Sequence, residues 1–594
     1  MSFHNVIIFN VLLATGLGLL LWSLPVRRRW ARSAVVLLLL VVTLNYTVWR
    51  VSSLPVLDFI FGSLWPWGFF AMEIITISHE LWTYMVMTRR SDNTSEADLH
   101  EFRLRTSDDR PRVDVFIATY DEPLEILEKT IKAAKRLDYP RHRLQIIVGD
   151  DGDRPGLKSL AKELGVDYTA RPRILNEHGN WSKVGGSGKA GNDRYTFTQT
   201  EGDYIILLDA DFRVRPEFIY RTLGFLHFRA DVGLVQTPQR FSNSDVIGHN
   251  LLAVDCVPED QHFFMAITEP SRDAWRNSFC TGTGCVVSRR LLRLLNPVWG
   301  FPNHTICEDL ELSYALLGAG YRTLYLNEPL AYGLAPESIP DFVKQRVRWC
   351  AGTVQNLYAP TGPIRGNLRL LDRIFYCEGV FYWLGFAFNT LLILAPLVFW
   401  FSGISAVLGT PEAAAAAVFP RLISREMTMY WLSEGKIPPL IVQVSRILPA
   451  FHVSMAFAKA LLRPRSPVFN VTTKGQRRDQ LVIRWPLFCT FLSIALATLY
   501  GMLVALVGRS ELAPSSDLIQ MNVAWSTLSA FVCLLCSLAC VELPHTRGDG
   551  PEVVRSKPLK IAIALVNRCI GIGNPRAGAG AQGGIAPMGA GDSV

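Results

Sequence analysis

Long apolar runs at both ends of the chain enclose a polar middle. Val6–Leu24 is an apolar run of about 19 residues, long enough for one helix to cross a bilayer. It has no basic leader, ends at Pro25 and is followed by Arg27, Arg28, Arg29 and Arg32. Two further runs, Ser33–Val48 and Ser63–Met87, precede Arg89 and Arg90. Beyond the polar middle lie Leu384–Ser402, Trp485–Val507 and Val523–Val541. Cytoplasmic loops gather Lys and Arg. The arginine loop and everything following Arg90 are therefore expected in the cytoplasm, with the N-terminus outside.

The stretch between Gly403 and Lys474 is ambiguous. Pro411–Leu432 carries Glu412, Arg421, Arg425 and Glu426, and each central charge facing lipid costs ~3 kcal/mol on insertion scales. Hydropathy alone rejects this stretch as a span. Side-keeping requires it, because Lys474, Arg477 and Arg478 and the basic tail with Arg547, Arg555, Lys557 and Lys560 all belong in the cytoplasm. One crossing must then fall between Ser402 and Lys474, and the charges of Pro411–Leu432 are expected to face a wet path inside the protein. Ile437–Leu462, interrupted by Arg446, His452 and Lys459, reads as an interfacial amphipathic helix. The expectation is about seven spans with the C-terminus inside. Residues 1–89 form the first membrane region, 90–370 a cytoplasmic domain, 371–542 a second membrane region and 543–594 a basic tail. The Gly/Ala-rich end of that tail is expected to be disordered.

Within 90–370 the pattern changes. Apolar runs at Val113–Thr119, Leu144–Gly149, Tyr204–Leu208 and Val232–Val235 alternate with helical patterns such as Pro123–Arg136. That alternation predicts an α/β, Rossmann-like domain: a mainly parallel sheet with helices on both faces. Acidic motifs follow directly after its strands, where such sheets bind ligands.

Composition agrees with a membrane protein carrying a large soluble part. Of 594 residues, 49% are hydrophobic and 19% charged, below the usual ~25% of soluble domains. The net charge of +8 gathers beside the apolar runs, which points to topology and lipid contact and away from nucleic acid. The eleven cysteines have no zinc or disulfide spacing. Cys533 and Cys536 lie in an apolar run, as small buried side chains do.

Five short motifs carry the candidate chemistry. Asp209 and Asp211 follow the strand Tyr204–Leu208; alternate strand residues share a face, so both carboxylates can meet one Mg²⁺ (or Mn²⁺) that also holds substrate phosphates. Asp150, in Asp150-Asp151-Gly152, ends a second strand, where it can accept bonds from a nucleobase or ribose. Thr119, Tyr120 and Glu122 end a third strand and open a helix, suiting them to capping or ligand contact. Lys189, in Lys189-Ala190-Gly191-Asn192, offers a point charge beside a glycine that admits phosphate. Asp309, after Glu308, opens a helical pattern and could take a proton from an acceptor hydroxyl. Gln345 and Trp349 share a helix face; Arg348 can neutralise a leaving diphosphate and Trp349 can stack a sugar ring.

Taken in order, these motifs, with Phe279-Cys280-Thr281-Gly282-Thr283 and the segment Phe469-Asn470-Val471-Thr472-Thr473-Lys474, resemble the processive, inverting membrane glycosyltransferases of the cellulose synthase type. The resemblance covers roughly residues 90 to 540. It implies a nucleotide-sugar-binding domain inserted in a transmembrane helical bundle, a UDP-glucose donor, a divalent metal and a channel for the growing glucan, with accessory export subunits as further partners. It places the protein in a bacterial inner membrane. Thr119, Tyr120, Glu122, Asp150, Lys189 and Asp209 are implied to serve the donor, Asp209 and Asp211 the metal, Asp309 the base role, and Gln345, Arg348 and Trp349 the diphosphate and acceptor. Phe469, Val471, Thr472 and Lys474 correspond to a loop, 469–475, that closes over the donor.

Cys307 departs from the family's usual Thr before Glu-Asp, and the Thr281–Gly284 spacing is one residue off. The tail after the last span is about half the length of the C-terminal domain usual in bacterial cellulose synthases. The seven-span, N-outside layout is similar to the curdlan and mixed-linkage glucan synthase branch, so a β-1,3 or mixed β-1,3/1,4 product is expected. Cellulose is the alternative, followed by a chitin- or hyaluronan-like polymer from UDP-N-acetylglucosamine. A transporter or receptor with a non-catalytic domain is the alternative of another class.

Overall fold

In the computed structural model, residues 3–175, 181–186, 188–254, 261–435, 439–464, 478–507 and 516–544 are described. The polar middle folds around a seven-stranded sheet. Its strand order is Arg322–Tyr325, Val232–Gln236, Cys285–Ser288, Tyr204–Asp209, Val113–Thr119, Leu144–Asp150, Asp167–Thr169. Alternation along the central strands feeds a core on each face. Val115, Ile117, Ile206 and Leu208 pack into one apolar cluster, and Phe116, Ile205 and Leu207 into the other.

The sheet is parallel except for Cys285–Ser288, which runs antiparallel to both of its neighbours. The four apolar runs seen in sequence are four of the seven strands. Beneath the sheet, Arg289 and Asp114 form a buried ion pair at 2.7 Å. The Arg289 guanidinium also donates to the carbonyls of Phe197 (3.0 Å) and Thr200 (2.8 Å), satisfying a charge that burial would otherwise penalise.

Long helices occupy all seven positions expected of spans: Phe3–Ser23, Arg29–Ser52, Phe61–Met87, Leu370–Ser402, Pro411–Leu432, Trp485–Leu506 and Ser516–Ala539. Five of the described helices are long and apolar enough to cross a membrane; Phe61–Met87 and Pro411–Leu432 are not among them. Leu370–Ser402 begins fourteen residues before the apolar run it contains (384 − 370). Its polar first turns persist because they have partners on both sides: Glu378 bonds His79 of the helix Phe61–Met87 at 2.8 Å and Arg272 of the α/β domain at 3.1 Å.

One expectation is revised. The single interfacial helix expected at Ile437–Leu462 is two helices, Pro439–Ile447 and Ala450–Leu462. Pro449, which lacks an amide donor, ends the first. Three of the four charges of Pro411–Leu432, which were expected to face a wet path, also have protein partners. Arg421 pairs with Glu80 at 2.8 Å, Arg425 lies 3.6 Å from the same carboxylate, and Arg425 also pairs with Glu426. Glu80 belongs to Phe61–Met87. The two helices that fail on hydropathy thus neutralise each other.

Candidate active site

Strand register brings three of the motifs together. Thr119 lies opposite Asp150, and Ala118 opposite Asp209, so the central strands end at the same level. The loops that follow carry Tyr120–Glu122, Asp151–Asp153 and Ala210–Asp211 at one edge of the sheet.

Glu122 shapes the first of these loops. Its Oε2 accepts from Thr119 Oγ1 at 2.6 Å and from the Tyr120 amide at 2.9 Å, leaving Tyr120 half exposed at 51%. Asp150 is fully buried, and its carboxylate is already engaged. It accepts from the amides of Gly152 (2.9 Å) and Arg154 (2.7 Å) and from Tyr168 Oη (3.1 Å). In this arrangement Asp150 holds the turn. Asp151 is gripped by Arg171 through two bonds of 2.6 and 2.5 Å. Arg171 also donates to the carbonyls of Val184 (3.0 Å) and Gly186 (2.5 Å). A Cβ on Gly191 would stand 2.3 Å from Arg171 Nη1 and 2.4 Å from the Gly186 oxygen. The absent side chain of Gly191 therefore admits this arginine and carbonyl, where the sequence suggested phosphate.

Lys189 lies in the first turn of the helix Gly188–Thr198. Its ammonium donates to Asp209 Oδ1 and to the Gly282 carbonyl. Burial works against that charge, but Asp209, Asp193 and Glu308 around it hold the Lys189 pKa above the ordinary lysine value. Burial also pushes the Asp193 carboxyl up to about 7, against the pull of Lys189. Asp209 is the last residue of its strand and its amide donates to Thr283 Oγ1 at 2.9 Å. Asp211 is buried in the turn beyond, where its Oδ2 accepts from the Leu334 amide at 2.9 Å.

Gly282 separates Lys189 from Asp309. Its φ of +85° suits a residue without Cβ, and a Cβ there would lie 3.0 Å from Asp309 Oδ2. Asp309 is in the first turn of the helix Glu308–Gly318, and its Oδ1 accepts from the Leu310 amide at 2.8 Å. Lys189, Asp193, Cys280, Gly282, Glu308 and Asp309 share one small cavity. Burial raises the Asp309 carboxyl above the ordinary range; the Leu310 amide, Lys189 and Arg348 oppose it. Burial and the adjacent Asp309 raise Glu308 as well. A carboxylate poised upward is a better proton acceptor near neutral pH.

Beside these residues runs the helix Ile339–Asn356, capped by Ser338, whose Oγ accepts from the Asp341 amide at 3.2 Å. Gln345 is buried and accepts from Arg346 Nη1 at 2.5 Å. The Arg346 guanidinium lies 4.0 Å from the Phe342 ring centre and 5.0 Å from that of Trp349, near enough for cation–π attraction. Arg348 is close enough to favour the Asp309 carboxylate. Cys307 meets this helix directly: a Cβ on Gly352 would stand 2.2 Å from its Sγ.

Phe469, Val471, Thr472 and Lys474 lie outside the described residues. Among the described residues no group of three or more His, Cys, Asp or Glu side chains is placed to hold a metal. Asp209 and Asp211 fit an ion held by one or two carboxylates and completed by substrate phosphates, as Mg²⁺ commonly is. Arg154, Arg171 and Asp193 escaped the sequence reading because they belong to no motif, and Thr283, although inside the segment Phe279–Thr283, was given no role there. The one signal toward Arg171 was Gly191, which had been read otherwise.

Residues 111–352 match the family model described as glycosyltransferase-like family 2. A UDP-forming cellulose synthase catalytic subunit of Komagataeibacter sucrofermentans is 29% identical over 503 residues, covering 83% of this chain and 63% of that protein. Its counterpart in Pseudomonas fluorescens is 27% identical over 544 residues, covering 90% of this chain and 70% of that one. The chain thus spans about two thirds of the length of these relatives. A solved mannosyltransferase of Pyrobaculum calidifontis, in complex with GDP-Man and Mn²⁺, is 15% identical and covers 66% of this chain and 100% of that chain, with a TM-score of 0.43. Residues 111–352 therefore form a Rossmann-like glycosyltransferase domain of the family-2 type, in a chain that resembles, over most of its length, the processive membrane glycosyltransferases of the cellulose synthase type.

Proposed function

We propose that the protein transfers glucose from UDP-glucose to the end of a growing β-glucan at the cytoplasmic face of a bacterial inner membrane, and passes the polymer outward through its helical bundle. The observation that carries this reading is the placement of Asp309 beside Gly282, whose carbonyl holds Lys189, which in turn bonds Asp209. Base, cation and acidic strand end lie in one continuous site.

Asp309 accepts the proton of the acceptor hydroxyl as that oxygen bonds to the anomeric carbon of the donor. The bond from that carbon to the diphosphate oxygen breaks, UDP departs, and attack from the opposite face inverts the configuration. Lys189 and Arg348 meet the charge that develops on the diphosphate. Asp209 and Asp211 would hold a divalent cation, Mg²⁺ or Mn²⁺, which when bound neutralises the diphosphate. Trp349 offers its ring to the acceptor sugar, and Tyr120, half exposed in the loop after its strand, offers one to the nucleoside. Thr119, Glu122 and Asp150 act through the turns that they hold.

The relatives are named cellulose synthases, which favours a β-1,4 product over the β-1,3 or mixed linkage suggested by layout. Membranes containing the protein, given radiolabelled UDP-glucose and Mg²⁺, should form a polymer released by an endo-β-1,4-glucanase. Release only by a β-1,3-glucanase would restore the other linkage; incorporation only from UDP-N-acetylglucosamine would overturn the donor.

A further inference from the structure

Glu542 stands where three separate parts of the chain meet. Its side chain is wholly buried. It follows the helix Ser516–Ala539 and lies in a two-residue strand, Val541–Glu542, paired antiparallel with Val482–Ile483 at the foot of the helix Trp485–Leu506. Its Oε1 accepts from the Ile339 amide at 2.6 Å. Its Oε2 accepts from Arg478 and forms an ion pair with Arg484 at 2.7 Å. Arg478 also donates to the Glu337 carbonyl, immediately before the same helix start. Nearby, Asn250 donates to the Ala539 carbonyl at 2.8 Å and accepts from the Leu543 amide.

Ile339 begins the helix that carries Gln345, Arg348 and Trp349. The first amides of a helix are unsatisfied and carry partial positive charge, so a carboxylate there is favoured. The apolar face of that helix, Ile339, Phe342 and Val343, packs with Phe491, Ile494, Cys533 and Cys536 of the two last long helices. Apolar packing leaves sliding and rotation weakly opposed, whereas a buried carboxylate with two directed donors and a second arginine beside it fixes them. Arg348 lies nine residues beyond Ile339, about 13 Å along a rigid helix axis. A shift at Glu542 is therefore carried to Arg348, and so to its distance from Asp309.

We propose that Glu542 is a positioning residue for glycosyl transfer: it sets the acceptor helix, which carries Arg348 and Trp349, against the ends of the last two membrane helices and thereby fixes the place of Arg348 relative to Asp309. This rests on the glycosyltransferase reading above. Ground-state donor binding does not depend on it, because Lys189 and Asp209 are held by the sheet and by Gly282, and Arg348 meets the diphosphate only as its charge develops.

The test compares Glu542→Gln and Glu542→Asp with the native full-length chain in lipid nanodiscs. Three readings are taken: UDP affinity by competition, KM for UDP-glucose, and kcat for polymer formation. Glu542→Gln should keep UDP affinity and KM within about twofold and lower kcat at least tenfold. Glu542→Asp, which keeps the charge, should recover a substantial part of kcat. Unchanged kcat in Glu542→Gln overturns the proposal. So does a parallel loss of UDP affinity and kcat in both variants, which would make Glu542 an anchor of the whole fold. If Glu542→Gln does not assemble, Glu542→Asp and Arg484→Lys decide by the same split between kcat and KM. A native chain that consumes no UDP-glucose rejects the donor reading instead, and the comparison is then made with UDP-N-acetylglucosamine.

Discussion

Lys189 donates to Asp209 Oδ1, joining the first turn of one helix to the last residue of a central strand. The same ammonium reaches the Gly282 carbonyl, against whose residue Asp309 is packed. One cation thus connects the acidic strand end to the expected base. On the proposed function, donor binding would draw on this connection, because a diphosphate would compete for Lys189 and a metal ion for Asp209.

Replacing Lys189 with Met should therefore weaken UDP binding. A hydrogen bond to a charged group contributes about 1.5–3 kcal/mol, which is about ten- to a hundredfold in affinity. Competition binding of UDP to the purified variant measures it. Native affinity would remove Lys189 from the donor site.

Metal removal should act through Asp209 and Asp211 together. Asp209→Ala and Asp211→Ala should each abolish polymer formation, and chelation of the native enzyme should do so reversibly, with Mg²⁺ or Mn²⁺ restoring it. Activity surviving exhaustive chelation would contradict the assignment.

The acid limb of the rate profile should lie above the ordinary aspartate range. Burial raises the Asp309 pKa, so the carboxylate needed as base is present above that raised value and lost as pH falls through it. A kcat/KM profile reporting an acidic pKa at or below ~3.9 would exclude Asp309 as the titrating group.

Glu80 should be needed wherever Arg421 is present. Both side chains are largely buried and 2.8 Å apart, and removing one partner of such a pair costs about 3–5 kcal/mol. Glu80→Gln should lower the thermal denaturation midpoint in detergent, and the double variant with Arg421→Met should recover part of the loss. Additive losses would show that the two side chains are uncoupled.

The candidate site residues stood out in sequence because each belongs to a short motif set directly after a strand or in a helix. The sheet was legible where strands are long and apolar. Cys285–Ser288 and Arg322–Tyr325 are four residues each, too short to show a period. What sequence could not show is pairing across distance. Glu80 and Arg421 are 341 residues apart, and Ile339 and Glu542 are 203 apart. Without its partner, Arg421 reads as a charge seeking water. Asp150 shows the reverse limit: its motif suggests ligand contact, but its carboxylate is spent on Gly152, Arg154 and Tyr168.

The most direct measurement is polymer formation by Asp309→Asn beside the native enzyme, with UDP binding followed on the same preparations. Asparagine keeps the shape and cannot take the acceptor proton. Glucose incorporation from labelled UDP-glucose should fall at least a hundredfold, the range that general base catalysis supplies, while UDP binds with native affinity. Incorporation near the native rate, with UDP binding intact, would contradict the central claim that Asp309 is the base of a glycosyl transfer.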